Sequence, residues 1–168
     1  MEEVAASRES STRSALVLVG VALAIYVADQ VTKAAVAAAI PIGERVDVIG
    51  DVVQLWHAQN RGAAFSMLQG ELWLFFIVTG AALVMVTYFH RTLRGRSIWL
   101  QVILGAILGG TLGNFTDRAR LGYVVDFLSV GIGDVRWPTF NVADSAVVCG
   151  IGLLVIYLTF ADRRGERV

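Results

Sequence analysis

Four apolar stretches limit what this chain can fold into more than any other feature of its sequence. They cover about residues 14–36, 72–89, 98–114 and 142–160. A helix that crosses a bilayer needs roughly 17 to 25 residues, so the third stretch is long enough only if its helix continues through Gly113 and Asn114. Hydrophobic residues make up 56% of the 168 residues, which is too apolar for an ordinary soluble domain. We therefore predict one membrane domain, residues 1–168, with four transmembrane helices.

The basic residues predict how these helices are oriented. Arg91, Arg94 and Arg96 lie in the short connection between the second and third stretches, and the C-terminal tail adds further arginines. Because basic residues collect on the cytoplasmic side, both termini and this connection are expected there. The two longer loops, residues 41–71 and 115–141, then face outward and carry most of the acidic residues.

Both outward loops contain segments that are typical of β-strands. The segments Val46–Trp56 and Gly122–Trp137 are rich in Val, Ile, Phe, Tyr and Trp. Such runs predict short strands or hairpins, with aromatic rings placed at the membrane surface.

The charge and the cysteine content exclude several classes of function. The 14 basic and 14 acidic residues give a formal net charge of zero, so no basic field is present to attract nucleic acid. The single Cys149 excludes an internal disulfide and a cysteine metal cage. We predict that Cys149 packs as a small buried hydrophobic residue.

A polar motif, Asp29-Gln30-Val31-Thr32-Lys33, interrupts the first apolar stretch. It occupies the place of a small-residue cleavage region, so we expect a retained first helix and not a cleaved signal peptide. Asp29 and Lys33 are four residues apart and share a helix face, where their charges can neutralise each other. Either they support a functional site, or they form a structural ion pair with Lys33 extending toward the surface.

Two further patterns place polar groups beside small residues. Asn60 begins a run of small residues that suits a close approach of ligand or backbone, but a turn into an interfacial helix explains that run equally well. Gly105, Gly109 and Gly113 form a stripe against which another helix or a lipid chain can pack. The stripe leads to a cluster of polar residues at the predicted helix end: Asn114, Asp117 and Arg118.

Two aspartates, Asp126 and Asp144, lie among apolar neighbours and therefore need a partner, a proton or a function. Asp144 has a structural alternative, because Asn141 can cap a helix in which Asp144 is the third residue. If the two carboxylates converge, they cannot both ionise easily and share one proton. One then activates a water while the other donates to a carbonyl oxygen, which is peptide hydrolysis without a metal.

These residues resemble one known family, the lipoprotein signal peptidases, also called signal peptidase II, which are bacterial membrane aspartic proteases. The matching motifs are, in chain order, Asp29-Gln-x-Thr-Lys33, Asn60-x-Gly-Ala-Ala-Phe65, Gly109-Gly-x-x-Gly-Asn-x-x-Asp-Arg118, Val-Val-Asp126-Phe and Phe140-Asn-x-Ala-Asp144. Phe115 and Thr116 depart from the more aliphatic residues expected at their positions, which affects packing but no motif residue.

The resemblance implies a polytopic α-helical membrane protein with four transmembrane helices, a small extracytoplasmic β-cradle and an interfacial helix. It implies a protein of the bacterial inner membrane that cleaves diacylglyceryl-modified prolipoproteins just before the modified cysteine, with its active site at the outer surface. The sequence leaves the oligomeric state open, and since nothing in it demands a partner subunit, we expect a monomer. No cofactor, metal or nucleic acid is expected, and membrane lipid is the other partner.

The resemblance also implies a role for each matching residue. Asp126 and Asp144 are the expected catalytic pair. The expected substrate or transition-state contacts are Asn60, Asn114, Arg118 and Asn141, and the expected structural supports are Asp29, Lys33, Gly109, Gly113 and Asp117.

Two other classes of protein would also place acidic residues at a membrane surface. A lipid-phosphate phosphatase or transferase would use Arg118 and a divalent metal, so a chelator would stop it. A proton-coupled transporter would use intramembrane acids such as Asp29 and Asp144, but their clustering at one surface argues against a path through the bilayer.

Overall fold

The structure is a computed structural model that describes residues 2–62, 72–93 and 97–163. Its elements are, in chain order, α1 (Glu2–Ala39), β1 (Arg45–Ile49), β2 (Val53–Asn60), α2 (Leu72–Leu93), α3 (Ile98–Leu121), β3 (Val124–Ile132), β4 (Val135–Arg136) and α4 (Val142–Arg163). Among the described residues, four helices are long and apolar enough to cross a membrane. The predicted fold class, a four-helix membrane protein with a small sheet, is confirmed. The interfacial helix expected after Gly62 falls outside the described residues.

The third helix is the centre of the bundle. It contacts each of the other three helices, and its apolar side chains Leu100, Leu104 and Ile107 are fully buried in the main core. The outer faces of the other helices remain apolar and exposed, as expected where lipid is the solvent. Residues on α3 therefore lie where all four helices meet.

Glycines let α3 approach its neighbours closely. A Cβ at Gly105 would lie 2.6 Å from the main-chain oxygen of Leu18 in α1, and one at Gly110 would lie 2.5 Å from that of Ala143 in α4. Gly109 likewise faces the main chain of Ala22. The glycine stripe is thus filled by helices of the same chain, and it is not a groove for lipid.

The helix α3 is longer than its apolar stretch. It passes through Gly113 and Asn114 and continues to Leu121, so residues 115–121, predicted as loop, are helical. Gly122 ends the helix in a left-handed conformation, with its N–H donating to the oxygen of Arg118 at 3.1 Å. Hydropathy alone cannot detect these last turns, because they contain Asp117, Arg118 and Arg120, and of these Asp117 is buried inside the structure.

The four strands form one antiparallel sheet in the order β1-β2-β3-β4. Asn60 lies opposite Val124 and Ala58 lies opposite Asp126, so the end of β2 runs beside the start of β3. The sheet is attached to the end of α1 through a small core that contains Ile40 and Phe127.

The chain segment that returns from the sheet to α4 determines where the beginning of α4 lies. A turn at Gly133 and Asp134 reverses the chain between β3 and β4. Phe140 then pairs with Leu128 of β3, its N–H donating to the oxygen of Leu128 at 3.1 Å. This bridge places the beginning of α4 directly beside β3.

Replacing Gly105 by Ala should destabilise the bundle. The added Cβ would meet the main chain of Leu18, which cannot move without separating α1 from α3, and overpacking of this kind costs about 1–3 kcal/mol. The measurement is the unfolding midpoint of the purified protein in detergent micelles. The matched control is Gly80→Ala in α2, where no atom lies within 4 Å of the added Cβ. Equal midpoints for the two variants would contradict the role of close packing.

Candidate active site

A cavity of about 440 Å³ opens where the sheet meets the ends of α3 and α4. Asp126 and Asp144 both line it, together with Asn60, Arg118, Trp137, Pro138, Thr139, Phe140, Ser145, Val148 and Cys149. Asp126 and Asp144 therefore face the same cavity although they come from different elements. The two sequence motifs that contain them did not by themselves require this.

Asp126 projects from β3 and is only 1% exposed. Each of its oxygens accepts one hydrogen bond from an amide side chain. Asn60 Nδ2 donates to Oδ2 at 2.9 Å, and Asn141 Nδ2 donates to Oδ1 at 2.7 Å. These two donors fix the plane of the carboxylate.

Asp144 lies in the first turn of α4, where Asn141 caps the helix. Asn141 Oδ1 accepts the N–H of Asp144 at 2.9 Å, and the N–H of Asn141 donates to Asp144 Oδ2 at 3.2 Å. Asn114 Nδ2 donates to the other oxygen, Oδ1, at 2.8 Å. The capping geometry considered from the sequence is present, and it coexists with a position in the cavity.

Asn141 joins the two aspartates. Its side chain donates to Asp126 while its backbone N–H donates to Asp144. Its Nδ2 also donates to Asn114 Oδ1 at 3.2 Å, so the amide that holds Asp144 from α3 belongs to the same network. One asparagine therefore sets the position of both carboxylates.

The surroundings of Asp126 change its protonation. Burial raises the pKa of Asp126 to about 7, and the charge of Asp144 acts in the same direction. The hydrogen bonds from Asn60 and Asn141 and the charge of Lys33 oppose this increase in pKa. Near neutral pH the carboxyl can therefore hold or release a proton, as a group in acid–base chemistry must.

Arg118 reaches the cavity from the end of α3. Its guanidinium carbon lies 4.0 Å from the centre of the Phe75 ring in α2, and Nη1 donates to the oxygen of Asn114 at 3.4 Å. An aromatic face stabilises a guanidinium that is stacked on it, so the Phe75 ring helps to hold the side chain of Arg118 at the cavity.

The two departures from the family pattern make contacts within the bundle. The rings of Phe115 and Phe76 meet edge to face, with their centroids 5.6 Å apart. Thr116 Oγ1 donates to the oxygen of Leu112 at 2.8 Å and lies 3.4 Å from the hydroxyl of Tyr26.

A buried ion cluster lies behind the two aspartates. The ammonium of Lys33 is 2.8 Å from Asp29 Oδ2 and 3.0 Å from Asp117 Oδ2, and it donates to Asn114 Oδ1 at 3.0 Å. Lys33 is only 3% exposed. The alternative in which Lys33 extends toward the surface is therefore wrong: the lysine points inward, where two carboxylates and an amide oxygen satisfy it.

The structure brings most of the predicted site residues together. Asn60, Asn114, Arg118 and Asn141 surround the two aspartates, and Asp29, Lys33 and Asp117 lie directly behind them. Gly113 borders this cluster, since a Cβ there would lie 2.5 Å from Asp29 Oδ2. Gly109 lies apart, in the seam between α1 and α3.

Sequence reasoning missed two residues that hold the site. Gln30 Nε2 donates to Asp117 Oδ1 at 3.0 Å and to Asp29 Oδ2 at 3.2 Å. Its place inside the Asp29–Lys33 motif could have indicated it. Phe75 belongs to an apolar stretch in which no local signal separates it from its neighbours.

The prediction that Cys149 is buried is wrong. Its thiol is free and exposed, and it lines the cavity one helical turn beyond Ser145. In a membrane helix an apolar residue can face lipid, a cavity or the core, so its hydrophobicity does not indicate burial.

Comparison with known proteins identifies relatives along most of the chain. The profile of the family described as signal peptidase (SPase) II matches residues 21–160. A lipoprotein signal peptidase of Shouchella clausii is 40% identical over 147 residues, which cover 88% of this chain and 95% of the relative. That of Bacillus subtilis is 39% identical over 139 residues, covering 82% and 90%.

Two solved structures have the same fold. Both are described as bacterial membrane enzymes solved by the in meso method, one at 2.3 Å and one at 1.9 Å resolution. The first has a TM-score of 0.79 at 33% identity and covers 86% of this chain and 88% of its own. The second has a TM-score of 0.75 at 34% identity, covering 84% and 91%.

The pKa of Asp126 leads to a prediction about stability. Its folded-state pKa of about 7 lies above the ordinary value of 3.8, so the stability that the proton contributes is lost as the pH rises between these values. The unfolding midpoint of Asp126→Asn, which cannot ionise, should therefore rise relative to that of the unmodified protein between pH 5 and pH 8. Thermal unfolding in detergent measures the difference. The exposed Asp134→Asn is the control, and a difference that does not change with pH would contradict the prediction.

Proposed function

Since the chain belongs to the signal peptidase II family, the lipoprotein signal peptidases, we propose that Asp126 and Asp144 activate the water with which it cleaves prolipoproteins. In this proposal the enzyme is an aspartic endopeptidase that needs no metal. The bond it hydrolyses is the one just before the diacylglyceryl-modified cysteine of the substrate.

The arrangement of Asn141 carries this proposal. Its side chain and its backbone N–H hold one carboxylate each, so both face the same cavity. A hydrolytic pair must present two carboxyl groups to one water and one carbonyl, and this arrangement supports that task.

The two carboxyl groups have different roles in the reaction. Asp126, whose pKa is about 7, carries the shared proton, and Asp144 is the ionised partner. Asp144 takes a proton from the water as the water oxygen bonds to the substrate carbonyl carbon. Asp126 donates its proton to the carbonyl oxygen, which gives a tetrahedral diol.

The second half of the reaction returns the protons. Asp144 donates its newly acquired proton to the amide nitrogen as the carbon–nitrogen bond breaks. Asp126 recovers a proton from one of the diol hydroxyls, which leaves a carboxylic acid product and an amine. The pair ends with one shared proton, as it began.

The polar residues at the cavity wall support this chemistry. Asn60 and Asn114 each donate to one catalytic carboxylate and keep its plane fixed. Arg118 lines the cavity beside them and can bind a substrate carbonyl, because a guanidinium presents several N–H donors in one plane.

The placement of the site also supports an orientation in the membrane. The protein is a multi-pass protein of the bacterial inner membrane, and the sheet and cavity lie at the end of the bundle opposite Arg91. By the distribution of basic residues, both termini are cytoplasmic and the site is at the outer surface. Since one chain supplies Asp126, Asp144 and the polar residues around them, the proposal requires no second copy for the reaction, and the substrate enters from membrane lipid.

Removing either catalytic carboxyl group should abolish cleavage. Asp126→Asn and Asp144→Asn keep the size of the side chain but lose the proton exchange, so turnover should fall by at least about 10³-fold. Purified variants are assayed on a diacylglyceryl-modified prolipoprotein in detergent micelles. Asp134→Asn, on the exposed hairpin, is the matched control and should retain full turnover. Near-normal turnover by either catalytic variant would exclude the pair.

A chelator should leave turnover unchanged. Among the described residues, no group of three or more His, Cys, Asp or Glu side chains is placed to hold a metal ion, and the side chains that bond to Asp126 and Asp144 are the amides of Asn60, Asn114 and Asn141. The assay compares cleavage before and after dialysis against EDTA. A loss that added Mg²⁺ or Zn²⁺ restores would instead support the metal-dependent phosphatase class.

A further inference from the structure

The two aspartates of the pair belong to different elements, so their separation depends on how those elements are held. Asp126 is on β3 and Asp144 is at the beginning of α4. Hydrolysis by a carboxyl pair is sensitive to errors of about 1 Å in position. The contacts that fix the main chain of β3 and α4 therefore matter as much as the carboxyl groups themselves.

The main chain beside Asp144 is held from α1. Asp29 Oδ1 accepts the N–H of Ala143, the residue just before Asp144, at 2.9 Å. Amides in the first turn of a helix have no partner within the helix, so this N–H is available to a carboxylate. Asp29 is fully buried, and a charge-assisted bond of this kind is short and strong.

The main chain beside Asp126 is held in the same way from α3. Asp117 Oδ2 accepts the N–H of Val125, the residue just before Asp126, at 3.1 Å. Asp117 is buried too. Each aspartate of the pair thus follows directly after an amide that donates to a buried carboxylate.

One cation joins the two supporting carboxylates. The ammonium of Lys33 lies between Asp29 and Asp117, 2.8 Å from one and 3.0 Å from the other. Gln30 Nε2 donates to both carboxylates from the same helix. The positions of Ala143 and Val125 are therefore related through a single charged group.

We propose that Asp29, Lys33 and Asp117 are positioning residues that set the separation of the catalytic pair, with each carboxylate holding the amide before one catalytic aspartate. This inference rests on the proposed function of Asp126 and Asp144, and it assigns to the three residues a specific task beyond general support of the fold.

Lys33 has a second effect on the pair. Its bond to Asn114 Oδ1 orients that amide so that Nδ2 points to Asp144 Oδ1. If the amide turned over, its oxygen would face the carboxylate and repel it. The ammonium thus fixes both the main chain and one side-chain donor of the site.

The test separates the amide contacts from the charge. Asp29→Asn and Asp117→Asn keep an oxygen that can accept the amide, whereas Asp29→Leu and Asp117→Leu do not. The Leu variants should lower kcat about 100-fold with little change in KM, because substrate binding is intact but the pair is displaced. The Asn variants should retain kcat within about tenfold, since a neutral acceptor weakens the bond without removing it.

Folding and neighbouring effects are controlled in the same experiment. Thr159→Val removes an exposed hydroxyl in α4 that donates to the oxygen of Val155 at 2.8 Å, away from the ion cluster, so it should behave as the unmodified enzyme. Thermal unfolding identifies which variants are folded. If a Leu variant does not fold, the Asn variants decide: a folded Asn variant as inactive as Asp126→Asn overturns the proposal.

The remaining outcomes distinguish this inference from the proposed function. Folded Leu variants with normal kcat, alongside inactive Asp126→Asn and Asp144→Asn, overturn the positioning role alone. Active Asp126→Asn or Asp144→Asn overturns the proposed function and this inference with it. A low kcat in the Leu variants, recovered by Asn at both positions with KM unchanged, supports the positioning role.

Discussion

The buried ammonium of Lys33 is the interaction on which the rest of the structure depends. An isolated charge in a membrane-spanning helix is expensive, and Lys33 is accommodated because two carboxylates and an amide oxygen surround it. The partners come from α1 and α3, and they in turn bind the main chain of β3 and α4. Loss of Lys33 would leave two buried carboxylates without a cation, so the contacts among these four elements depend on this one ammonium.

Close helix packing makes this polar network possible. Gly113 leaves the space that the carboxylate of Asp29 occupies, since a Cβ there would lie 2.5 Å from Oδ2. Gly110 brings the main chain of Ala143 against α3, within reach of the same region. In lipid, where apolar surfaces gain little from contact with one another, backbone proximity and polar contacts provide most of the cohesion between helices. The close packing at the glycines thus leaves the space in which the ion cluster forms.

Asn141 shows how a local motif takes on a role in the site. A helix cap needs only an acceptor for the first free amides, and Asn141 and Asp144 satisfy each other in that way. The same asparagine also donates to Asp126, which no capping rule requires. From the sequence, Asp144 could be either part of a helix cap or a residue of the site. In the structure it is both, because the cap holds its carboxylate in the cavity.

The sequence by itself determined the spans, the strand-bearing loops, the Asp29–Lys33 pairing and the motifs of the family, because these follow from local hydrophobicity, spacing and residue type. It could not determine that Lys33 turns inward, that Gln30 bridges two carboxylates or that Cys149 faces the cavity. These features depend on which elements meet, and the direction of a side chain in a membrane helix cannot be deduced from its hydrophobicity. Only the tertiary structure brought β3 and α4 to one asparagine and one buried cation, since those contacts join residues far apart in the chain.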